Sequence, residues 1–215
     1  MKKVAVLGSG TVGTTLADGF LQHGYAVMRA TREPSKLEAW KKGAKGEVGI
    51  GTYAEAAKWG EIVVVAVKGL VAEEVIDQCG AANLAGKIVI DTTNPIGNEP
   101  PQNGVIRYFT KADESLMERL QKKAPNAQFV KAWNSIGSMF MVNPKFESTP
   151  TMFICGNEAS AKREVSEILT KFGFEPADMG PVEAARPIEQ LCVLWCLPGF
   201  LRNEWAHAFK LVRPR

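Results

Sequence analysis

Six residues near the start of the chain have the spacing of a phosphate-binding turn: Gly8-Ser9-Gly10-Thr11-Val12-Gly13. In such a G-x-G-x-x-G turn the first glycine permits a tight bend and the second lets the backbone approach a pyrophosphate. The third lets the following helix pack close to its strand. The implied chemistry is dinucleotide binding, with the anion held by the free N–H groups and positive dipole end of a helix opening at Thr11. An NAD site would place Asp or Glu about 20 residues further on, against the ribose 2′-hydroxyl. This chain reads Arg29-Ala30-Thr31-Arg32-Glu33-Pro34-Ser35-Lys36 there. Thr31 offers a hydroxyl, Arg32 can fork onto a phosphate or stack on adenine, and Lys36 adds a point charge, with Ser35 between them. Despite Glu33, the cluster favours a 2′-phosphate, and so NADP over NAD.

Three later stretches end apolar runs and should meet the rest of the ligand, because open α/β sheets bind outside the carboxyl ends of their strands. Val67 and Lys68, with Asn94 and Pro95, are expected to line the ribose and nicotinamide. Trp133 is expected either to stack near the nicotinamide ring or to fill the core. Asn134 and Ser135 have polar groups that could fix the carboxamide or a second ring. Trp133, Asn134 and Ser135 are therefore the candidates for lining an acceptor site. Hydride transfer to a ketone needs an acid, usually His, Lys or Tyr. Neither His23 nor His207 falls at a strand end, and Lys68 is the only tempting donor. A flat ring acceptor relaxes that demand, since it delocalises the arriving charge and needs mainly orientation.

The elements that must position these residues follow from periodicity. Val4–Leu7, Tyr25–Met28, Val48–Thr52, Glu61–Val67 and Lys87–Asp91 read as strands, the fourth apolar enough to be covered on both faces. Helices are expected over Thr11–His23, Ser35–Lys42, Tyr53–Trp59 and Val71–Cys79. His23 and Gly24 read as the first helix's C-terminal cap. Strand and helix alternating through short connections give a doubly wound, mostly parallel α/β sheet with right-handed crossovers. A helix over Glu114–Lys123 and a sixth strand over Gln128–Ala132 follow, then an irregular stretch, Met139–Pro150, that could wall a second ligand. Thr151–Cys155 and Phe174–Asp178 read as further strands flanking a helix that ends near Phe172. Residues 1–180 are expected to form the cofactor domain. Residues 181–215 should form a helical segment, with Trp195, Phe200, Trp205 and Phe209 packed on it or on a partner subunit.

Composition is that of an ordinary globular chain: 215 residues, 46% hydrophobic, 23% charged, net charge +3. No basic block interleaved with aromatics suggests nucleic acid, and no apolar run approaches a membrane span. The chain enters its first strand at once, and no signal peptide is expected. The four cysteines are not spaced as a metal site, and reduced thiols in the cytoplasm are the expectation.

Several separated motifs resemble a known family. Val4-Ala-Val-Leu-Gly-Ser-Gly-Thr-Val-Gly13, Thr31-Arg32 with Lys36, Asp91-Thr-Thr-Asn-Pro95 and Val130-Lys-Ala-Trp-Asn134 look like the coenzyme F420-dependent NADP oxidoreductases. So do Ile154-Cys-Gly156 with Ala161-Lys162, and Phe172-Gly-Phe-Glu-Pro-Ala-Asp-Met-Gly180 followed by Glu183-Ala-Ala-Arg186. The cytosolic NADPH-binding domain of the six-transmembrane metalloreductases is similar throughout. Lys131-Ala-Trp-Asn-Ser-Ile136 is closer to that version than to the His-containing stretch of archaeal F420 enzymes. The resemblance implies a Rossmann-type fold, NADPH at the glycine turn, and hydride exchange with F420, FMN or FAD near Trp133–Ser138. A homodimer through the C-terminal helices is a further expectation. The alternatives are an imine or 3-hydroxyacid-type reductase, or a non-catalytic NADPH-sensing module.

Overall fold

The computed structural model describes residues 1–214. Six strands form one wholly parallel sheet: β1 (Lys3–Leu7), β2 (Ala26–Ala30), β3 (Val48–Gly51), β4 (Ile62–Val65), β5 (Ile88–Asp91) and β6 (Gln128–Lys131). Their spatial order is β3-β2-β1-β4-β5-β6. The order reverses between β1 and β4, so the connections leaving their carboxyl ends run to opposite sides and open a crevice there. Alternation along each strand feeds two cores. Val4, Val6, Val64 and Ile90 face one side, where Leu16 and Phe20 of α1 (Thr11–Gln22) meet Val165 and Leu169 of α7 (Ala159–Lys171). Ala5, Leu7, Val63 and Val89 face the other. That side is covered by α3 (Tyr53–Trp59), α4 (Gly69–Cys79) and α6 (Leu116–Lys123). The β-branched run Ile62–Val65 is buried at every position, as a central strand covered on both faces must be.

Other elements refine the expectations. A 3₁₀ turn over Pro34–Leu37 precedes α2 (Glu38–Gly43), and a short α5 (Ala81–Leu84) was not foreseen. β7 (Thr151–Ile154) and β8 (Glu175–Asp178) pair parallel with each other as a separate two-stranded sheet. A single antiparallel bridge between Lys131 and Cys155 ties that sheet to β6.

The C-terminal expectation needs correction. Helix α8 (Ala185–Arg202) stops where Asn203 turns left-handed, at φ 57°, and residues 203–214 carry no helix. They run back over their own chain: the Thr151 N–H donates to the Phe209 carbonyl at 2.9 Å. Trp195 stacks on His207, and Trp205 lies so close to Gly199 that a β-carbon there would meet its ring at 2.3 Å. Both tryptophans are thus packed within the chain, while Leu194, Phe200 and Leu201 of α8 stay exposed. Among the described residues no helix is long and apolar enough to cross a membrane.

Candidate cofactor site

The glycine turn joins β1 to α1, and its three glycines are there for different reasons. Gly8 has φ +137°, and a β-carbon on it would lie 2.2 Å from the Ala66 carbonyl oxygen. A β-carbon on Gly13 would lie 2.7 Å from the Gly8 oxygen. The chain's own packing therefore demands both. Gly10 is unlike them: at φ −78° and ψ −179° it has a conformation open to any residue. A β-carbon on it would meet nothing within 4 Å. Nothing in the chain explains a glycine there; close approach of an external group does.

Beside Gly10, α1 begins without a side-chain cap and with no acidic residue in its first turn. Its first intrahelical bond runs from the Thr14 N–H to the Gly10 carbonyl at 3.0 Å, so the N–H groups of Thr11, Val12 and Gly13 have no intrahelical acceptor. Helices α3 and α6, by contrast, open with complete capping boxes, Thr52 with Glu55 and Ser115 with Glu118. Ser9, Gly10 and Thr11 are exposed and Val12 half-buried. An uncapped helix start behind an open glycine fits the pyrophosphate of a dinucleotide.

At the end of β2, Thr31 is buried while Arg32, Ser35 and Lys36 are exposed. The Arg32 guanidinium lies 4.0 Å from Glu74, and Lys36 pairs with Glu33 at 3.0 Å. Exposed pairs of this kind are worth about 0–1 kcal/mol, so a phosphate dianion can draw both cations away. At the end of β4, Val67 is half-buried and the exposed Lys68 is the N-cap of α4. A β-carbon on Gly69 would fall 2.0 Å from the Asn94 carbonyl oxygen, which shows how closely the β4–α4 turn meets the loop after β5.

That loop is fixed by buried charge. Asp91 and Lys131 end β5 and β6 in register, both with fully buried side chains. The Lys131 ammonium contacts Asp91 Oδ2 at 2.6 Å and Glu189 Oε1 at 2.8 Å, and donates to the Thr93 carbonyl at 2.9 Å. Asp91 Oδ1 accepts from the Thr93 N–H and hydroxyl at 2.9 and 2.7 Å. Glu189, from α8, accepts from the Leu116 and Met117 N–H groups at the start of α6. Burial raises the Glu189 pKa despite the lysine. Burial would lower that of Lys131, but the two carboxylates overcome it and hold the ammonium charged. Beyond the triad, Asn94 and Asn134 clasp each other. The Asn94 amide donates to the Asn134 carbonyl at 2.8 Å, and the Asn134 amide to Asn94 Oδ1 at 3.1 Å and to the Ile188 carbonyl at 2.9 Å. The Asn94–Pro95 bond is trans. Pro95 and Ser135 are buried, and the buried Asn134 Oδ1 has no partner.

Trp133 takes the second of its two expected places, its indole filling the core rather than facing the crevice, so it is removed from the candidates for lining the cofactor and acceptor site. It is fully buried, 6.2 Å from the Phe20 ring and 5.4 Å from Phe172. A φ of +58°, unusual for so bulky a residue, reverses the backbone there and sends the indole inward. Of the sequence candidates, the structure gathers the glycine turn, Thr31, Arg32, Ser35, Lys36, Val67, Lys68, Asn94, Pro95, Asn134 and Ser135 along the carboxyl edge of the sheet, and it sets the indole of Trp133 apart.

Sequence reasoning missed Asp91, Lys131 and Glu189 as a unit. The available signal was a charged residue closing each of two buried apolar strands, Ile88-Val-Ile-Asp91 and Gln128-Phe-Val-Lys131. It also passed over Arg29, whose guanidinium is buried and donates to the Gly8 carbonyl at 3.0 Å.

Residues 3–95 match the family described as "NADP oxidoreductase coenzyme F420-dependent". The chain is similar to metalloreductase STEAP3 of Rattus norvegicus, 31% identical over 205 residues, covering 93% of this chain and 39% of that protein. It thus spans about two fifths of the length of the curated relatives it matches. A solved structure of an assigned F420-dependent NADP-reductase from Arthrobacter sp. FB24 superposes with a TM-score of 0.92 at 31% identity, covering 99% of this chain and 100% of that one. An imine reductase from Pseudomonas sp. shares the fold at 20% identity, TM-score 0.65, over 93% of this chain and 62% of that one. Agreement with the Arthrobacter protein over its whole length, around a glycine turn open for a dinucleotide, makes this chain a member of the coenzyme F420-dependent NADP oxidoreductase family.

Proposed function

We propose that the crevice binds NADP(H) and exchanges a hydride with a flat ring acceptor, a deazaflavin such as F420 or a flavin such as FMN or FAD. The observation that carries this reading is the open space at Gly10 beside an uncapped α1, because together they leave room and unpaired N–H groups for an anionic ligand on the turn. In this reading the N–H groups of Thr11, Val12 and Gly13 bind the pyrophosphate. Thr31, Arg32, Ser35 and Lys36 bind the 2′-phosphate, and Val67 and Lys68 flank the ribose. Asn94, Pro95, Asn134 and Ser135 set the nicotinamide end. When bound, NADPH supplies the reducing hydride. The protein's part is orientation and exclusion of water, and the buried triad and the Asn94–Asn134 clasp give the rigidity which that task needs. The family match supports a ring acceptor over a carbonyl.

Anaerobic stopped-flow mixing of the NADPH complex with F420, FMN, FAD or a ferric chelate is the test. Rapid loss of reduced-nicotinamide absorbance with F420 or a flavin is expected; no oxidation by any of them sinks the reading and favours a sensing module. Specificity has its own check. Arg32→Ala is expected to weaken NADPH binding by about 10- to 100-fold, the worth of a charge-assisted phosphate contact, and to change NADH binding by less than about twofold. Equal losses would refute the 2′-phosphate assignment. The same reading includes a homodimer through α8, supported by its exposed Leu194, Phe200 and Leu201. Sedimentation as a monomer at micromolar concentration counts against it.

A further inference from the structure

Arg29 is a buried charge that the described residues leave without an ion pair. It is the fourth residue of β2, between Val6 of β1 and Ile50 of β3, in a strand otherwise made of Ala, Val and Met. Its side chain is 1% exposed. One nitrogen donates to the Gly8 carbonyl at 3.0 Å and lies 3.5 Å from where a β-carbon on Gly13 would sit. The guanidinium carbon rests over the Trp40 ring, 4.9 Å from its centroid. The acid whose charge reaches it, Asp18, accepts from the Trp40 indole N–H at 2.7 Å instead. Among the described residues Arg29 forms no ion pair, and its buried Nε has no hydrogen-bond partner. A buried cation left in that state is costly. Burial accordingly depresses its pKa, and Asp18 only partly offsets the effect.

The guanidinium sits directly behind the glycine turn, whose outer side carries the unbonded N–H groups of α1. We infer that Arg29 is an internal counter-charge for the pyrophosphate of the dinucleotide, acting through the Gly8 peptide and across one layer of backbone rather than by contact. It is a positioning residue, and the inference rests on the NADP(H) reading above. It differs from Arg32 in one decisive respect. Arg32 is assigned to the 2′-phosphate, which only NADP(H) has, whereas Arg29 acts on the pyrophosphate that NADH and NADPH share.

The test compares Arg29→Gln, which keeps a donor for Gly8 but loses the charge, with Arg29→Lys, which keeps the charge. Dissociation constants for NADPH, NADH and 2′-AMP, which lacks a pyrophosphate, are measured at several salt concentrations beside the melting temperature of the unliganded protein. Arg29→Gln is expected to weaken NADPH and NADH by the same factor, about tenfold, which is the scale of one unit charge acting over roughly 10 Å at an effective dielectric constant of about 20. It should leave 2′-AMP unchanged, flatten the salt dependence, and leave the melting temperature unchanged or higher. Arg29→Lys should retain most of the affinity. Unaltered NADPH and NADH affinity in Arg29→Gln overturns the inference. So does an equal loss for 2′-AMP with a lower melting temperature, which would make Arg29 a clamp on the fold. Should Arg29→Gln not fold, Arg29→Met removes the same charge under the same criteria. Wild-type protein that binds neither dinucleotide is a different result and overturns the functional reading itself.

Discussion

Replacing Gly8 with alanine is expected to destabilise the protein by about 3–5 kcal/mol, or roughly 10 °C in Tm for a chain of this size. Two costs combine. The new β-carbon would stand 2.2 Å from the Ala66 carbonyl oxygen, which belongs to backbone and cannot swing aside, and φ +137° is itself strained for any residue with a side chain. The ends of β1 and β4 must then separate, although they are tied there by the Ala66 N–H to Leu7 carbonyl bond at 2.8 Å. Gly10→Ala is the control, since its β-carbon enters open space. Thermal unfolding of the two unliganded variants should show a large loss for the first and almost none for the second. Equal melting temperatures would mean that the turn is not packed as described.

Lys131→Met is expected to cost a further kind of stability, about 3–5 kcal/mol, because it strips the cation from between two buried carboxylates. The Asp91 and Glu189 side chains are 0% and 2% exposed, so water cannot take the lysine's place without opening the junction of β5, β6, α6 and α8. The sign of the pH effect follows. Burial already raises the Glu189 pKa, and losing the ammonium removes the charge that opposes that rise, so protonation of Glu189 then favours the folded state. The deficit should be largest at neutral pH and above, and should shrink as pH falls through that raised value. Lys131→Met combined with Glu189→Gln should recover part of the loss. Denaturant unfolding across pH measures this, and a deficit independent of pH would show that the lysine's packing, not its charge, is what matters.

The parts of the fold legible in the sequence were those that depend on local pattern. Apolar β-branched runs such as Ile62–Val65 announced buried parallel strands, and the glycine spacing placed the turn before α1. What stayed hidden depended on which residues meet across the sheet. Glu189 lies nearly sixty residues from its partner Lys131 in the primary structure, a juxtaposition that only the docking of α8 creates. Trp133 was legible as a strand-end residue that would either stack on a ligand or fill the core, and the choice between the two comes from a left-handed backbone that no local pattern signals. Arg29 was overlooked for the opposite reason: it was grouped with the basic run ending at Lys36, whereas it lies inside β2 with its side chain buried, and Arg32 lies beyond the strand end, exposed. The C-terminal aromatics suggested continuous helix, yet a left-handed Asn203 ends α8 and lets Trp205 and His207 fold back on it.

A crystal structure with NADP⁺ bound tests the central claim most directly. Pyrophosphate oxygens are expected on the N–H groups of Thr11, Val12 and Gly13, with the 2′-phosphate against Arg32 and one nicotinamide face left open for a second ring. A dinucleotide seated away from the glycine turn, or a nicotinamide closed in on both faces, would contradict it.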